Sequence, residues 1–68
     1  MRPHPGAIRF RREALKVSLA KLSALTGISE SHLSRVEHGK AGLGDENIRR
    51  LAAALDATTV DITHEEKP

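Results

Sequence analysis

The segment from Ser18 to Gly39 limits the fold more than any other part of this 68-residue sequence. It holds two short stretches in which apolar residues recur three or four positions apart, and a serine precedes each stretch. Serine is a favourable helix N-cap, and a glycine after an apolar stretch supplies the positive φ that ends a helix tightly. The pattern therefore predicts two short helices, at about residues 19–26 and 30–38, joined by a turn that contains Gly27.

Apolar spacing of three to four residues continues outside this segment and predicts three more helical segments. The first lies at about residues 6–15, after Pro5, the fourth begins near Asp45, and a last turn lies at about residues 59–62. No part of the sequence shows the two-residue alternation of a half-buried strand. We therefore expect an all-α fold, a compact domain of five short helices.

A chain of this length forms one domain and buries only about 60% of the surface that it exposes when unfolded. We expect that domain to span residues 1–63 and residues 64–68 to form a disordered tail, since the sequence ends in polar residues. The expected core is aliphatic and draws on all five segments: Ile8, Leu15, Val17, Leu22, Ile28, Leu33, Val36, Ile48, Leu51 and Leu55.

Composition excludes several classes of protein. Without cysteine, the sequence can form neither disulfides nor thiolate metal sites. No apolar run approaches the roughly 18–20 residues of a membrane span, and the first ten residues lack the apolar stretch of a signal peptide. We therefore expect a cytoplasmic protein with no membrane contact.

The charge is distributed unevenly along the chain. Residues 1–40 carry eight Lys or Arg and three Asp or Glu, a net charge of +5. Residues 41–68 carry three Lys or Arg and six Asp or Glu, a net charge of −3. A basic half suggests a polyanionic partner, although ordinary solvated helix faces explain the same counts. With one Phe and no Tyr or Trp, a base-stacking site for single strands is not expected.

The second and third predicted helices have the spacing of a helix-turn-helix, which places its second helix in the major groove of DNA. Helix 3 contributes only Leu33 and Val36 to the expected core. Most of its surface is therefore polar and available to a partner.

The residues "SLAKLSALTGISESHLSRVEHGK…NIRRLAAALDA" resemble the Cro/CI-type (Xre, lambda-repressor-like) DNA-binding domain over about residues 8–62. The most specific element is "LSRVEHGK" at this distance from "TGIS". The resemblance implies a five-helix lambda-repressor-like fold and a transcriptional regulator, with repression as the expected role. Such a regulator binds a short palindromic operator in double-stranded DNA as a homodimer.

The resemblance also assigns DNA contacts. It places Glu30, Ser31, His32 and Arg35 over the base edges, where Arg35 can donate two hydrogen bonds to guanine O6 and N7. At any one of these positions, a solvated helix face is the alternative. Phosphate contacts are expected from six further residues: Arg9, Arg11, Ser34, His38, Gly39 and Lys40, with Gly39 and Lys40 acting partly through their amides.

Two further assignments follow from the resemblance. Arg12 and Glu37 should form a partly buried ion pair that locks helix 1 to helix 3. The homodimer interface should lie at helix 5 and the end of helix 4, with Ala57, Thr59, Val60 and Ile62 as its candidates. Two positions depart from the family pattern: Leu19 stands where Gln commonly grips a phosphate, and Lys16 stands where Gly is frequent.

An enzyme is not expected, because no Ser lies in a recognisable set with a base and an orienting group. His32 and His38, six residues apart, point in different directions and cannot share a metal, so neither a metal site nor another cofactor is expected. One alternative is an antitoxin-type module with a protein partner, which the acidic second half could bind, although we favour solubilising charge as the explanation of those acids. The other is a purely structural domain that binds no DNA, which an apolar contact surface at Leu19 would favour.

Overall fold

The structure is a computed structural model that describes residues 1–64. Four α-helices and one turn of 3-10 helix form most of these residues. The all-α, lambda-repressor-like architecture agrees with expectation, but the count of five helices is wrong, because the fifth segment is a single 3-10 turn. The expectation of no strands is also wrong. The elements are β1 (Arg2–Pro3), α1 (Pro5–Ala14), α2 (Leu19–Thr26), α3 (Glu30–Glu37), α4 (Asp45–Ala54), the 3-10 turn (Val60–Ile62) and β2 (Thr63–His64).

Local capping explains where the two central helices begin and end. The Ser18 hydroxyl accepts a hydrogen bond from the amide of Lys21 (3.0 Å), and the Ser29 hydroxyl accepts one from the amide of His32 (3.1 Å). Gly27 ends α2 with φ 76, a conformation that favours glycine. The three residues Gly27 to Ser29 thus fix the angle between α2 and α3.

Eight of the ten expected core residues are buried, and the core differs from expectation at four positions. Leu15 is 47% exposed, so its assignment to the core is wrong. It follows the last residue of α1, and the chain then reverses at Lys16 (φ 57), which leaves Leu15 at the edge of the core. Val17 packs against the core from a partly buried position, and Ala52 and Ile62 join it. The buried apolar residues are Ile8, Leu22, Ile28, Leu33, Val36, Ile48, Leu51, Ala52, Leu55 and Ile62.

The two short strands bring the ends of the described chain together. Arg2 pairs with His64 and Pro3 with Thr63 in antiparallel register. The His4 amide donates to the Ile62 carbonyl (2.8 Å), and the rings of His4 and His64 stack with centroids 4.2 Å apart. Of the predicted tail, His64 therefore lies in β2, and residues 65–68 lie outside the described residues.

Hydrogen bonds within the chain hold the 3-10 turn. The Asp61 carboxylate accepts from the amide of Thr58 (2.9 Å) and from its hydroxyl (3.0 Å). These bonds, together with the nearby guanidinium of Arg11, lower the pKa of Asp61 below its usual value. The ionised carboxylate thereby connects the turn to α1. None of the helices in residues 1–64 is long and apolar enough to cross a membrane.

Lys16 adopts the left-handed conformation, as the resemblance to the family suggested. We expect Lys16→Gly to raise the free energy of unfolding by about 0.5–1 kcal/mol. Glycine removes the strain of the left-handed conformation, and this gain is larger than the free-energy cost of the greater conformational entropy that glycine gives the unfolded chain. Urea denaturation measures this change. Lys21→Gly, at an exposed position inside α2, is the control and should lower stability by about 1 kcal/mol. Equal losses from both substitutions would contradict the prediction.

Candidate nucleic-acid interface

Helix α3 presents a polar face to solvent because its other side is fixed in the domain. Leu33 and Val36 are fully buried, and the side chain of Glu37 is also buried. Their spacing places all three on the inner side of an eight-residue helix. Ser31 and Arg35 therefore point outward, and Glu30, the first residue of the helix, is also exposed.

Three of the four predicted base-reading residues lie exposed on this outer face. Within residues 1–64, the side chains of Glu30, Ser31 and Arg35 form no hydrogen bond or ion pair, so their donors and acceptors are available. The exposed guanidinium of Arg35 retains all five N–H donors for a partner. This side of α3 offers a forked cation, a carboxylate and a hydroxyl.

His32 differs from its three neighbours. It is half-buried, and its Nε2 lies 2.9 Å from the carbonyl oxygen of Gly42. Because a carbonyl only accepts, Nε2 carries the proton and donates. The ring thus ties the start of α3 to the loop before α4, and only its remaining edge can face a partner. No sequence pattern predicts this contact, which joins residues ten positions apart.

The end of α3 is also held by bonds within the chain. His38 Nδ1 donates to the Ser34 carbonyl (2.7 Å), while the amides of Gly39 and Lys40 donate to the carbonyls of Val36 (3.0 Å) and Arg35 (2.8 Å). The two amides that were expected to contact phosphate are therefore already engaged. The exposed ammonium of Lys40 and the hydroxyl of Ser34 are left for that contact.

The two arginines of α1 that were expected to contact phosphate lie on different flanks of that helix. Arg9 forms an exposed pair with Glu13, with Nε 2.9 Å from Oε1. Arg11 lies 3.5 Å from Asp61 of the 3-10 turn. Arg11 therefore faces the 3-10 turn rather than the outer face of α3.

A forked ion pair joins α1 to α3, as the resemblance implied. Arg12 Nε donates to Glu37 Oε2 (2.6 Å) and Nη2 donates to Oε1 (3.0 Å), while Nη1 donates to the Val17 carbonyl (3.0 Å). Their side chains are only 15% and 3% exposed. The hydrogen bond to Glu37 raises the pKa of Arg12 above its usual value. The pair holds α3 at a fixed orientation on α1.

The residues assigned to a dimer interface are not all at the surface. Val60 is 80% exposed, and Ala57 and Thr59 are half-buried. Ile62 is fully buried in the core of the single chain, which makes it unavailable to a partner. Among residues 1–64, no group of three or more His, Asp or Glu side chains is placed to hold a metal ion.

Comparison with known proteins finds relatives in sequence and in structure over most of this chain. A helix-turn-helix family model, HTH_3, matches residues 8–62. An uncharacterised HTH-type transcriptional regulator of Sinorhizobium fredii, y4dL, is 40% identical over 53 residues, which make up 78% of this chain and 27% of the relative. The chain thus spans about a quarter of the length of that curated relative.

Three solved structures resemble the domain closely. The restriction-modification controller protein C.AhdI of Aeromonas hydrophila has a TM-score of 0.80 and 32% identity, covering 84% of this chain and 86% of its own. The P22 c2 repressor, solved in complex with a synthetic operator, has a TM-score of 0.78 and 31% identity, covering 81% and 83%. The regulator ClgR of Corynebacterium glutamicum has a TM-score of 0.80 and 28% identity, covering 84% and 61%. This chain therefore belongs to the HTH_3 helix-turn-helix family, the Cro/CI-type (Xre) group of DNA-binding transcriptional regulators.

Proposed function

We propose that this protein is a cytoplasmic, sequence-specific regulator, with repression as its role, that inserts α3 into the major groove of a short palindromic operator as a homodimer. The observation that carries the proposal is the outer face of α3, where Glu30, Ser31 and Arg35 are exposed and unengaged within the described chain. The P22 c2 repressor, which is similar over most of this chain, was solved with an operator duplex. Members of the family are DNA-binding regulators rather than enzymes.

The proposed base contacts follow from donor and acceptor chemistry. Arg35 donates two hydrogen bonds to guanine O6 and N7, and the carboxylate of Glu30 accepts from cytosine N4. Ser31 can donate or accept at either base. His32 reaches the duplex with the edge of the ring that does not bind Gly42. Because Arg12 and Glu37 fix α3 on α1, these side chains enter the groove from a rigid base.

The proposed phosphate contacts are fewer than the sequence suggested. Ser34 lies in the second half of α3 and Lys40 lies three residues after its end. Arg9 can exchange its exposed Glu13 partner for a phosphate at low cost. Because Nδ1 of His38 is held by the Ser34 carbonyl, a phosphate contact from this exposed ring uses Nε2, whereas Arg11 lies on the far flank of α1. Such contacts set affinity and its dependence on salt without reading sequence.

One domain of this size offers a single reading helix, which is seldom enough for specific binding at cellular salt. A two-fold pair that places the two α3 helices about 34 Å apart doubles the contacts and explains a palindromic site. Ala57, Thr59 and Val60 remain in the proposed interface, and Ile62 is omitted because it is buried in each single chain.

Selection from a randomised duplex pool tests the function directly. We expect enrichment of an inverted repeat whose half-sites are one helical turn apart, and affinity that falls steeply with added salt. If no sequence is enriched, the proposal fails. The antitoxin-type alternative, a module for a protein partner, would then be pursued.

Lys40→Ala tests the phosphate contact separately. We expect weaker binding to all duplexes by a similar factor, with the salt slope reduced by about one per protomer and base preference unchanged. Titration of the selected duplex at several salt concentrations measures the slope. Arg50→Ala removes the same charge from an exposed position on α4 that pairs with Glu46, and it should leave the slope close to the wild-type value.

A further inference from the structure

A groove lined by five apolar and three charged residues lies on the side of α1 that faces away from α3. It has a volume of about 450 Å³ and runs between α1, the end of α4 and the 3-10 turn. Phe10, the single aromatic residue apart from histidine, stands at this groove with 73% of its surface exposed, and Leu15 beside it is 47% exposed. Val60, next to the groove residue Asp61, is 80% exposed. Exposed apolar residues that cluster at a groove mark a binding surface.

We propose that this groove binds the Phe10 side chain of a second copy of the chain, so that α1, rather than the end of the chain alone, forms the homodimer interface. The proposal rests on the proposed homodimeric function and identifies the surface that it uses. Phe10 and the groove belong to the same surface, and a two-fold axis through such a surface lets each copy insert its ring into the other. Buried aromatic residues supply much of the affinity of interfaces of this kind.

The charges around the groove are complementary under the same two-fold rotation. Arg11 lies on the α1 wall, and Asp56 and Asp61 lie on the opposite wall. Asp61 already pairs with Arg11 in its own chain, whereas the exposed carboxylate of Asp56 has no ion pair or hydrogen bond within residues 1–64. Rotation brings Asp56 of each copy towards Arg11 of the other. An unrelated partner would have to supply both signs of charge in this arrangement, whereas a second copy carries them already.

The position of α1 keeps the paired surface away from the reading helices. Arg12 faces α3, and Phe10, two residues earlier, points to nearly the opposite side of α1. Pairing through the groove therefore places two α1 helices between the two α3 helices and leaves the outer face of each α3 uncovered.

Phe10→Glu tests the surface, with Leu25→Glu as its control. Leu25 is an exposed apolar residue on α2, outside the groove, with 55% of its surface accessible. Sedimentation equilibrium of the full chain, alone and with a duplex that carries both half-sites, measures dimerisation. We expect Phe10→Glu to raise the dimer Kd roughly tenfold or more and Leu25→Glu to leave it unchanged. Thermal denaturation verifies that both variants are folded.

Binding to a duplex with one half-site separates this proposal from the proposed function. Phe10→Glu should bind one half-site as the wild type does, since Phe10 lies away from α3. Equal dimerisation of wild type and Phe10→Glu would overturn the proposed surface. A wild-type chain that stays monomeric alone and on the duplex would overturn it as well. A chain that dimerises through Phe10 but binds no DNA would refute the regulator function and retain the interface.

Discussion

Glu37→Ala is expected to lower the free energy of unfolding by about 3 kcal/mol, the low end of the range for a broken buried ion pair. The substitution leaves the Arg12 guanidinium, only 15% exposed, with the Val17 carbonyl as its remaining partner. Its slight exposure admits some water and limits the cost. A chain of 68 residues has a total stability of roughly 3–10 kcal/mol, so the loss is a large part of it. Because each kcal/mol shifts the Tm of a domain of this size by about 4–8 °C, the Tm should fall by about 12–24 °C.

Glu13→Ala is the matched control, because Arg9 and Glu13 form the same kind of pair in solvent. Its cost should stay within about 0.5 kcal/mol. The double variant Arg12→Met/Glu37→Met, which removes both charges, should recover much of the lost stability. Calorimetry of the three variants measures these differences. Equal shifts in Tm for Glu37→Ala and Glu13→Ala would show that the pair between α1 and α3 contributes no more than a surface pair.

Arg35→Ala is expected to relax base preference at one position of each half-site. Loss of a bidentate contact to guanine costs about 1–3 kcal/mol of discrimination, which is roughly a 5- to 150-fold change in the ratio of affinities. The residue is exposed and its contacts lie outside the domain, so the Tm should stay within a few degrees of the wild-type value. Binding to operators with each of the four base pairs at that position measures the ratio.

Arg35→Lys distinguishes readout from charge. Lysine keeps the cation and loses the planar fork, so discrimination should fall while the salt slope persists. If Arg35→Ala lowered binding to all four operators by the same factor, Arg35 would be a phosphate contact rather than a base contact. The structure would then direct the search for base readout to Glu30 and Ser31.

The start and end of the central helices were predictable because their signals are local. Ser18 and Ser29 cap helices through their own hydroxyls, and Gly27 meets a positive φ that few other residues adopt. The aliphatic spacing on α4 likewise identified its buried side. The contact of Arg12 with Glu37 depended on resemblance, since nothing in the spacing of residues 25 positions apart predicts it.

Burial near chain reversals was harder to predict. Periodicity shows which residues share a face of a helix, but it does not show where the neighbouring helix that buries this face ends. Leu15 shares the inner face of α1 with Ile8, yet it lies past the helix end and is exposed. Phe10 is two residues from Ile8 and therefore off the buried stripe, a signal from which its exposure could have been predicted. Ile62 was assigned to an interface, but the chain folds back there and buries it.

The two-residue strands left no pattern in the sequence, since alternation needs a longer run to be detected. Their pairing of Arg2 with His64 nevertheless means that the backbone enters and leaves the domain at one corner. Neighbouring entry and exit points allow a domain to be placed within a surface loop of a host protein with little distortion of either. The same closeness would let a short linker join the two strands, with the chain reopened beside the exposed Gly44 before α4, to give a circularly permuted reader of DNA.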